Sequence, residues 1–183
     1  MHLPIRTSWD GTPVSKAHHV DVHVVHQDDG IRLTVHAPHY ADPLPDAPVG
    51  PVFGLWEYEV VELFLAGPGD PRPYLEVELG PGGHHLVLRL RGTRRIVARK
   101  LPLEPQVHVT EGRWTAVVDI PDTYLPPSPW TVNATAVHGV GEQRTWLSAA
   151  PLPGTTPDFH QLDAFVPFDT DGPGSPTEPL PAS

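Results

Sequence analysis

The stretch Leu55–Gly67, LWEYEVVELFLAG, decides how this chain is read. In its second half Val61, Leu63 and Leu65 recur at every second position. That is the period of a β-strand with one face buried, and it puts Glu62 on the other face. The same parity places Trp56 and Tyr58 beside Glu62 and leaves Glu57 and Glu59 on the core side. Carboxylates do not belong there. Either these two lie beyond the rim of the core, or a bulge flips the first half of the run.

Two further runs follow, joined by the turn-rich connectors AGPGDPRP and GPGG, and the three read as a meander. In YLEVEL, residues 74–79, Leu75, Val77 and Leu79 form the core face and Tyr74, Glu76 and Glu78 the open one. In residues 84–91 the leucines Leu86, Leu88 and Leu90 read as core, leaving His85, Val87, Arg89 and Arg91 open. One sheet face then carries Trp56, Tyr58, Glu62, Tyr74, Glu76, Glu78, His85 and Arg89. Aromatic rings can stack on the apolar faces of pyranoses, while carboxylates and a forked guanidinium bind the surrounding hydroxyls. A plain solvated sheet face alternates in the same way, and its cross-strand Glu–Arg pairs are worth about 0–1 kcal/mol each.

Outside the meander, VDVHVVH (20–26) and IRLTVHA (31–37) flank QDDG, a hairpin signal that sets Asp21 opposite His36 and His23 opposite Thr34. A Pro-rich loop runs from Pro38 to Gly54. Weaker strands are RRIVARKL and QVHVT; RWTAVVDI (113–120) alternates cleanly, PDTYLPP suits one helical turn, and WTVNATAVHG and QRTWLS are β-like. PDFHQLDAF closes the domain irregularly. Nine or ten short strands with such turns predict an all-β fold, an antiparallel β-sandwich of jelly-roll type. The domain is expected over residues 1–168, followed by a disordered Pro/Gly-rich acidic tail at 169–183.

Composition narrows the function. The chain has 183 residues, 25 prolines, 16 glycines and no cysteine, so no disulfide framework holds it. A net charge of −10 argues against nucleic acid as a partner. The one basic cluster, RLRGTRRIVARK (89–100), reads as a solvated strand pair. Neither a signal-peptide run nor a membrane-length apolar run is present, and the expected location is cytoplasmic. Twelve histidines invite a metal, but neither H-E-x-x-H nor any cysteine-based site occurs. The only methionine is Met1, which removes a Met–His haem pair. The acidic loops QDDG and DPLPDAP match no calcium motif, so no metal or cofactor is assigned and structural calcium stays without a motif to support it. His160 in PDFH reads first as a structural lock and second as a ligand contact. The sequence has no nucleophile elbow or phosphate loop. Glu62 with Glu76 or Glu78 across the strand pair would set carboxyls about 5 Å apart, near the spacing of retaining glycosidases.

The segments LWEYEVVELFL, YLEVELGPGGHHLVLRL, RWTAVVDIP, VNATAVHG, QRTW and PDFHQLDAF occur in the order seen in carbohydrate-binding module family 9-like domains, which are related to DOMON-type β-sandwiches. The chain resembles these over roughly residues 5–168, and still more an uncharacterised family of single-domain proteins of animals and bacteria that carries LW-x-YEVVE, YLEVEL-x-P-x-G-x-HLVL, PDFH and an N-terminal WDG like Trp9–Gly11. The resemblance implies that Trp56 and Glu62 hold a sugar, with Trp146 as a second aromatic and Arg89 as a cation on the hairpin strand. The combined expectation is non-catalytic binding of a small carbohydrate or similar polyhydroxylated ligand by Trp56, Tyr58, Glu62, Glu76, Glu78, Arg89, Trp146 and His160. The alternatives are a glycoside hydrolase using the glutamate pair and a protein-interaction module. The oligomeric state is left open by the sequence.

Overall fold

Alternation along the chain becomes two antiparallel sheets that face each other. The structure, a computed structural model, describes residues 1–169. The predicted tail therefore lies outside the described residues, apart from Asp169. One sheet contains β1 (His2–Ile5), β3 (Val20–Gln27), β4 (Gly30–Pro38), β9 (Gln106–Thr110) and β10 (Arg113–Pro121), in the order β1-β3-β4-β10-β9. The other contains β2 (Thr7–Ser8), β5 (Val60–Ala66), β6 (Pro73–Leu79), β7 (His85–Arg91), β8 (Ile96–Arg99), β11 (Thr131–His138) and β12 (Thr145–Ser148). Their order is β2-β12-β11-β5-β6-β7-β8, with β13 (Val166–Pro167) beside β11. The helical pieces among the described residues are single 3₁₀ turns, and none is long and apolar enough to cross a membrane. This is the predicted all-β sandwich.

The QDDG hairpin forms in the predicted register, with Asp21 opposite His36 and His23 opposite Thr34. Its glycine is required by a close approach. A Cβ on Gly30 would stand 2.1 Å from the carbonyl oxygen of Ile120 on β10.

Between the sheets lies the main core. Val22, Val24, Leu33 and Val35 of the smaller sheet meet Val61, Leu63, Leu65, Leu75, Val77 and Leu79 of the larger, with Trp114 fully buried among them. The parities predicted for β5 and β6 are those observed. The parity predicted for β7 is not. Leu86, Leu88 and Leu90 belong to a second apolar cluster on the outer face of the larger sheet, together with Val60, Phe64 and Tyr74. Glu78 stands opposite Leu86, and Glu76 opposite Leu88. Only Val87 of β7 joins the inner core. The larger sheet has more strands than the smaller, and on β7 the inner face is no longer fully covered. Arg89 and Arg91 are exposed there. The outer face is covered instead, by Leu55, Leu162 and Phe165 from the connecting segments.

The conflict inside LWEYEVVELFLAG also resolves. Leu55–Glu57 is a 3₁₀ turn, and the strand begins only at Val60. Glu57 is exposed. Glu59 is buried and accepts hydrogen bonds from the backbone N–H groups of Tyr40 (3.2 Å) and Asp42 (3.4 Å). It therefore pins the Pro-rich loop to the sheet.

Candidate functional site

On the outer face of the larger sheet, three glutamates from two adjacent strands converge. Glu62 on β5 pairs directly with Glu78 on β6, and Glu76 lies two residues along β6 on the same face. One carboxylate oxygen from each falls within 4.8 Å of the other two. Their exposures are 2 %, 3 % and 0 % for Glu62, Glu76 and Glu78. Glu62 accepts a 2.5 Å hydrogen bond from Thr135 Oγ1 on β11. Glu76 Oε2 and both oxygens of Glu78 have no hydrogen-bond partner.

Burial raises all three acids, because it disfavours the charged form. Glu62 is pushed up to about 7, against the opposing pull of the Thr135 bond and the Arg144 charge. Glu76 rises to about 8 through desolvation and then the neighbouring Glu62 charge. Glu78 rises well above the carboxylate range through desolvation and the charges of Glu62 and Glu76. Glu76 and Glu78 lie close enough to influence each other's proton, although neither Glu78 oxygen makes a hydrogen bond of normal geometry. Three like charges in one dry spot do not ionise together, so the trio titrates as a unit.

The acids form the floor of a cavity of about 390 Å³. Glu62 and Glu76 line it, with Glu78 immediately behind. Trp56 and Trp146 stand at its walls, with Phe64, Leu88 and Leu90 from the sheet and Phe159 from the closing segment. Trp146 remains 36 % exposed, as a rim residue should. Trp56 is held by its own turn. Arg144 donates to the carbonyls of Trp56 and Glu57, tying that turn to the loop after β11.

The PDFH segment closes the opposite wall. Tyr74 Oη accepts from the backbone N–H of Arg94 at 2.9 Å, so its own proton is free for His160 Nδ1 at 2.8 Å. That leaves the His160 proton on Nε2. Desolvation, the largest cause, and then the Arg94 charge lower His160 to about 4, keeping it neutral. His160 thus locks the segment and also lines the cavity. Asp158 accepts from His160 N–H (3.0 Å) and from Arg94 Nη2 (2.8 Å), and both Asp158 and Arg94 line the cavity.

Of the residues predicted from sequence, Trp56, Glu62, Glu76, Trp146 and His160 line one cavity, and Glu78 completes its acidic floor. Tyr58 packs against the outer apolar cluster without lining the cavity. Arg89 requires correction. It is exposed, opposite Leu75 on the inner face, so it points away from the acids. The cation at the cavity is Arg94, from the turn between β7 and β8. Sequence reasoning missed it because its basic cluster looked like a solvated strand pair; the turn signal in RGTRR was the available clue. Asp158 was missed although it belongs to the PDFH motif. The clustered histidines of residues 18–39 form no group with metal-ligand spacing. Among the described residues, the one set of three His, Asp or Glu side chains close enough to share a cation is Glu62, Glu76 and Glu78.

No protein-family model matches the chain. It is 37 % identical to the human UPF0462 protein C4orf33 over 179 residues, covering 92 % of this chain and 88 % of that protein. It is also 37 % identical to the C4orf33 homologues of Mus musculus, of which it covers 91 %, and Danio rerio, of which it covers 88 %. Among solved structures, it superposes on a "putative carbohydrate-binding protein" from Bacteroides uniformis with a TM-score of 0.71 at 17 % identity, covering 91 % of this chain and 84 % of that one. At that identity the likeness establishes a shared β-sandwich fold.

Proposed function

This chain belongs to the UPF0462 protein family, and on that premise we propose that it binds a small carbohydrate or a similar polyhydroxylated ligand without turning it over, as a carbohydrate-binding module of the family 9 and DOMON type. The observation that carries this reading is the meeting of Trp56, Trp146, Glu62 and Glu76 in one cavity. Its volume of about 390 Å³ lies within the range of about 300–1,000 Å³ typical of small-molecule sites. Indole faces offer apolar stacking area, and the carboxyls, Arg94 and the Nε2–H of His160 offer acceptors and donors for ring hydroxyls. The carbohydrate-binding description of the Bacteroides uniformis protein agrees with this reading.

The spacing of the acids gives hydrolysis a hearing, since retaining glycosidases hold their two carboxyls about 5–5.5 Å apart. Those carboxyls flank the scissile bond from opposite sides. Here the three come from neighbouring positions on one wall, which favours binding.

A thermal-shift screen of mono- and disaccharides tests the proposal. The wild type is expected to gain stability with at least one sugar, and Trp56→Ala to lose that gain. No response to any sugar would sink the reading. Turnover of a chromogenic glycoside, abolished in Glu62→Gln, would replace it with hydrolysis.

A further inference from the structure

At and just behind the floor of the cavity, three buried carboxyl oxygens have no partner. Glu76 Oε2 and both oxygens of Glu78 lack partners although these residues are 3 % and 0 % exposed. A buried polar group left unmatched costs about 1–3 kcal/mol, and folded proteins keep few of them. No nearby protein donor is aimed at these oxygens. Arg94 is paired with Asp158, Arg144 with the carbonyls of Trp56, Glu57 and Gly139, and Thr135 with Glu62. The Trp56 backbone N–H is close enough to moderate Glu78 but makes no hydrogen bond of normal geometry with it.

The geometry of the trio favours one kind of guest. With one oxygen from each acid within 4.8 Å of the others, a point exists no farther than about 2.8 Å from all three, the length of a charge-assisted N–H···O bond. A hydroxyl brings one proton to that point. A primary ammonium brings three and a positive charge, one donor for each carboxyl. Calcium would need six to eight oxygens at about 2.3–2.6 Å, more than one oxygen from each acid supplies. The indole rings of Trp56 and Trp146 lie at the same cavity, and aromatic faces also favour a cation.

Resting on the carbohydrate reading above, we propose that the ligand is an amino sugar: its ammonium is received by Glu62, Glu76 and Glu78, and its ring lies among Trp56 and Trp146. An N-acetyl group abolishes the match, since it removes the charge, leaves a single N–H and adds bulk at the crowded floor.

Calorimetric titration of the full chain in buffer containing a chelator tests this. The probes are glucosamine, galactosamine and mannosamine, each against its N-acetyl counterpart and the parent hexose. At least one free amine is expected to bind roughly tenfold or more tightly than both of its neutral analogues, as expected of a charge-assisted contact. Glu78→Gln preserves shape while removing a buried acid, and is expected to compress that ratio to near one; its melting curve verifies folding. Equal or tighter binding of the neutral sugars overturns the amine assignment and leaves carbohydrate binding intact. Silence from all probes overturns both. Calcium chloride, titrated alone without chelator, overturns the ammonium assignment if it binds the wild type tightly and Glu78→Gln not at all.

Discussion

Two buried polar groups share the outer face of the larger sheet, and they are built in opposite ways. Around Asn133, every group is matched. Its Nδ2 donates to Ser148 Oγ at 3.0 Å, its Oδ1 accepts from Ala134 N–H at 2.9 Å and Ala150 N–H at 3.0 Å, and Ser148 Oγ donates to the Ala150 carbonyl at 2.6 Å. Around Glu76 and Glu78, three oxygens are unmatched. Both groups are as dry as each other. A closed network fixes geometry and needs nothing from outside, whereas an open one stores a demand that a ligand can meet. The first joins β11 to the segment after β12; the second faces a cavity.

The contrast can be broken by mutation. Asn133→Ala strips three hydrogen bonds and strands buried donors, so it is expected to cost about 2–4 kcal/mol and lower Tm on the order of 10 °C. A fall of no more than a degree or two in a calorimetric scan would show that the network is not structural.

The opposite sign is expected at Glu78→Gln, and pH exposes it. In the folded protein the trio titrates as a unit, with Glu62 raised to about 7, Glu76 to about 8 and Glu78 well above an ordinary glutamate's 4.5. The folded protein therefore binds more protons than the unfolded chain, and the stability these groups provide is full below about 4.5 and lost as pH rises through 7 and 8. His138 and His160, both lowered to about 4 by burial, act in the other sense: their contribution is full above 6.5 and lost as pH falls towards 4. The two slopes oppose each other between 4.5 and 6.5, so the carboxyl effect stands alone above 6.5. Wild-type Tm is expected to drop between pH 6.5 and 8.5, on the order of 5 °C. Glu78→Gln should flatten that drop and exceed the wild type at pH 8.5 by about 1 kcal/mol. Identical profiles for the two proteins would mean that the acids carry no such strain.

The smallest effect is expected at Arg89. On the reading in which it faced the acids, Arg89→Ala would weaken ligand binding. From its exposed inner-face position it should change stability by no more than about 0.5 kcal/mol and leave affinity untouched. Loss of sugar binding in this variant would restore the discarded parity.

Legibility followed burial. In β5 and β6 one face meets the opposing sheet and the other meets loops, and the alternation of Val61, Leu63, Leu65 against Glu62, and of Leu75, Val77, Leu79 against Glu76 and Glu78, survived intact. In β7 both faces changed meaning. The outer leucines serve the loop-covered cluster, while the inner face near the sheet edge carries arginines. Period two says which side chains share a face but not which face is wet. Trp56 and Trp146 illustrate the same limit: their chemistry was readable, yet their meeting depends on a 3₁₀ turn and on Arg144 tying two loops together.

Composition and alternation alone settled that this chain makes short antiparallel strands with an acid-bearing, aromatic-bearing face. Those are local properties, written in the spacing of neighbouring residues. Tertiary structure alone decided that this face is dry, that Arg94 and Asp158 replace Arg89 at its edge, and that three glutamates share a floor without enough donors. Those facts follow from which loop lands on which strand, and desolvation gives such placement its chemical consequence: the same carboxyl is an ordinary surface charge in water and an unmet demand for protons or cations once covered.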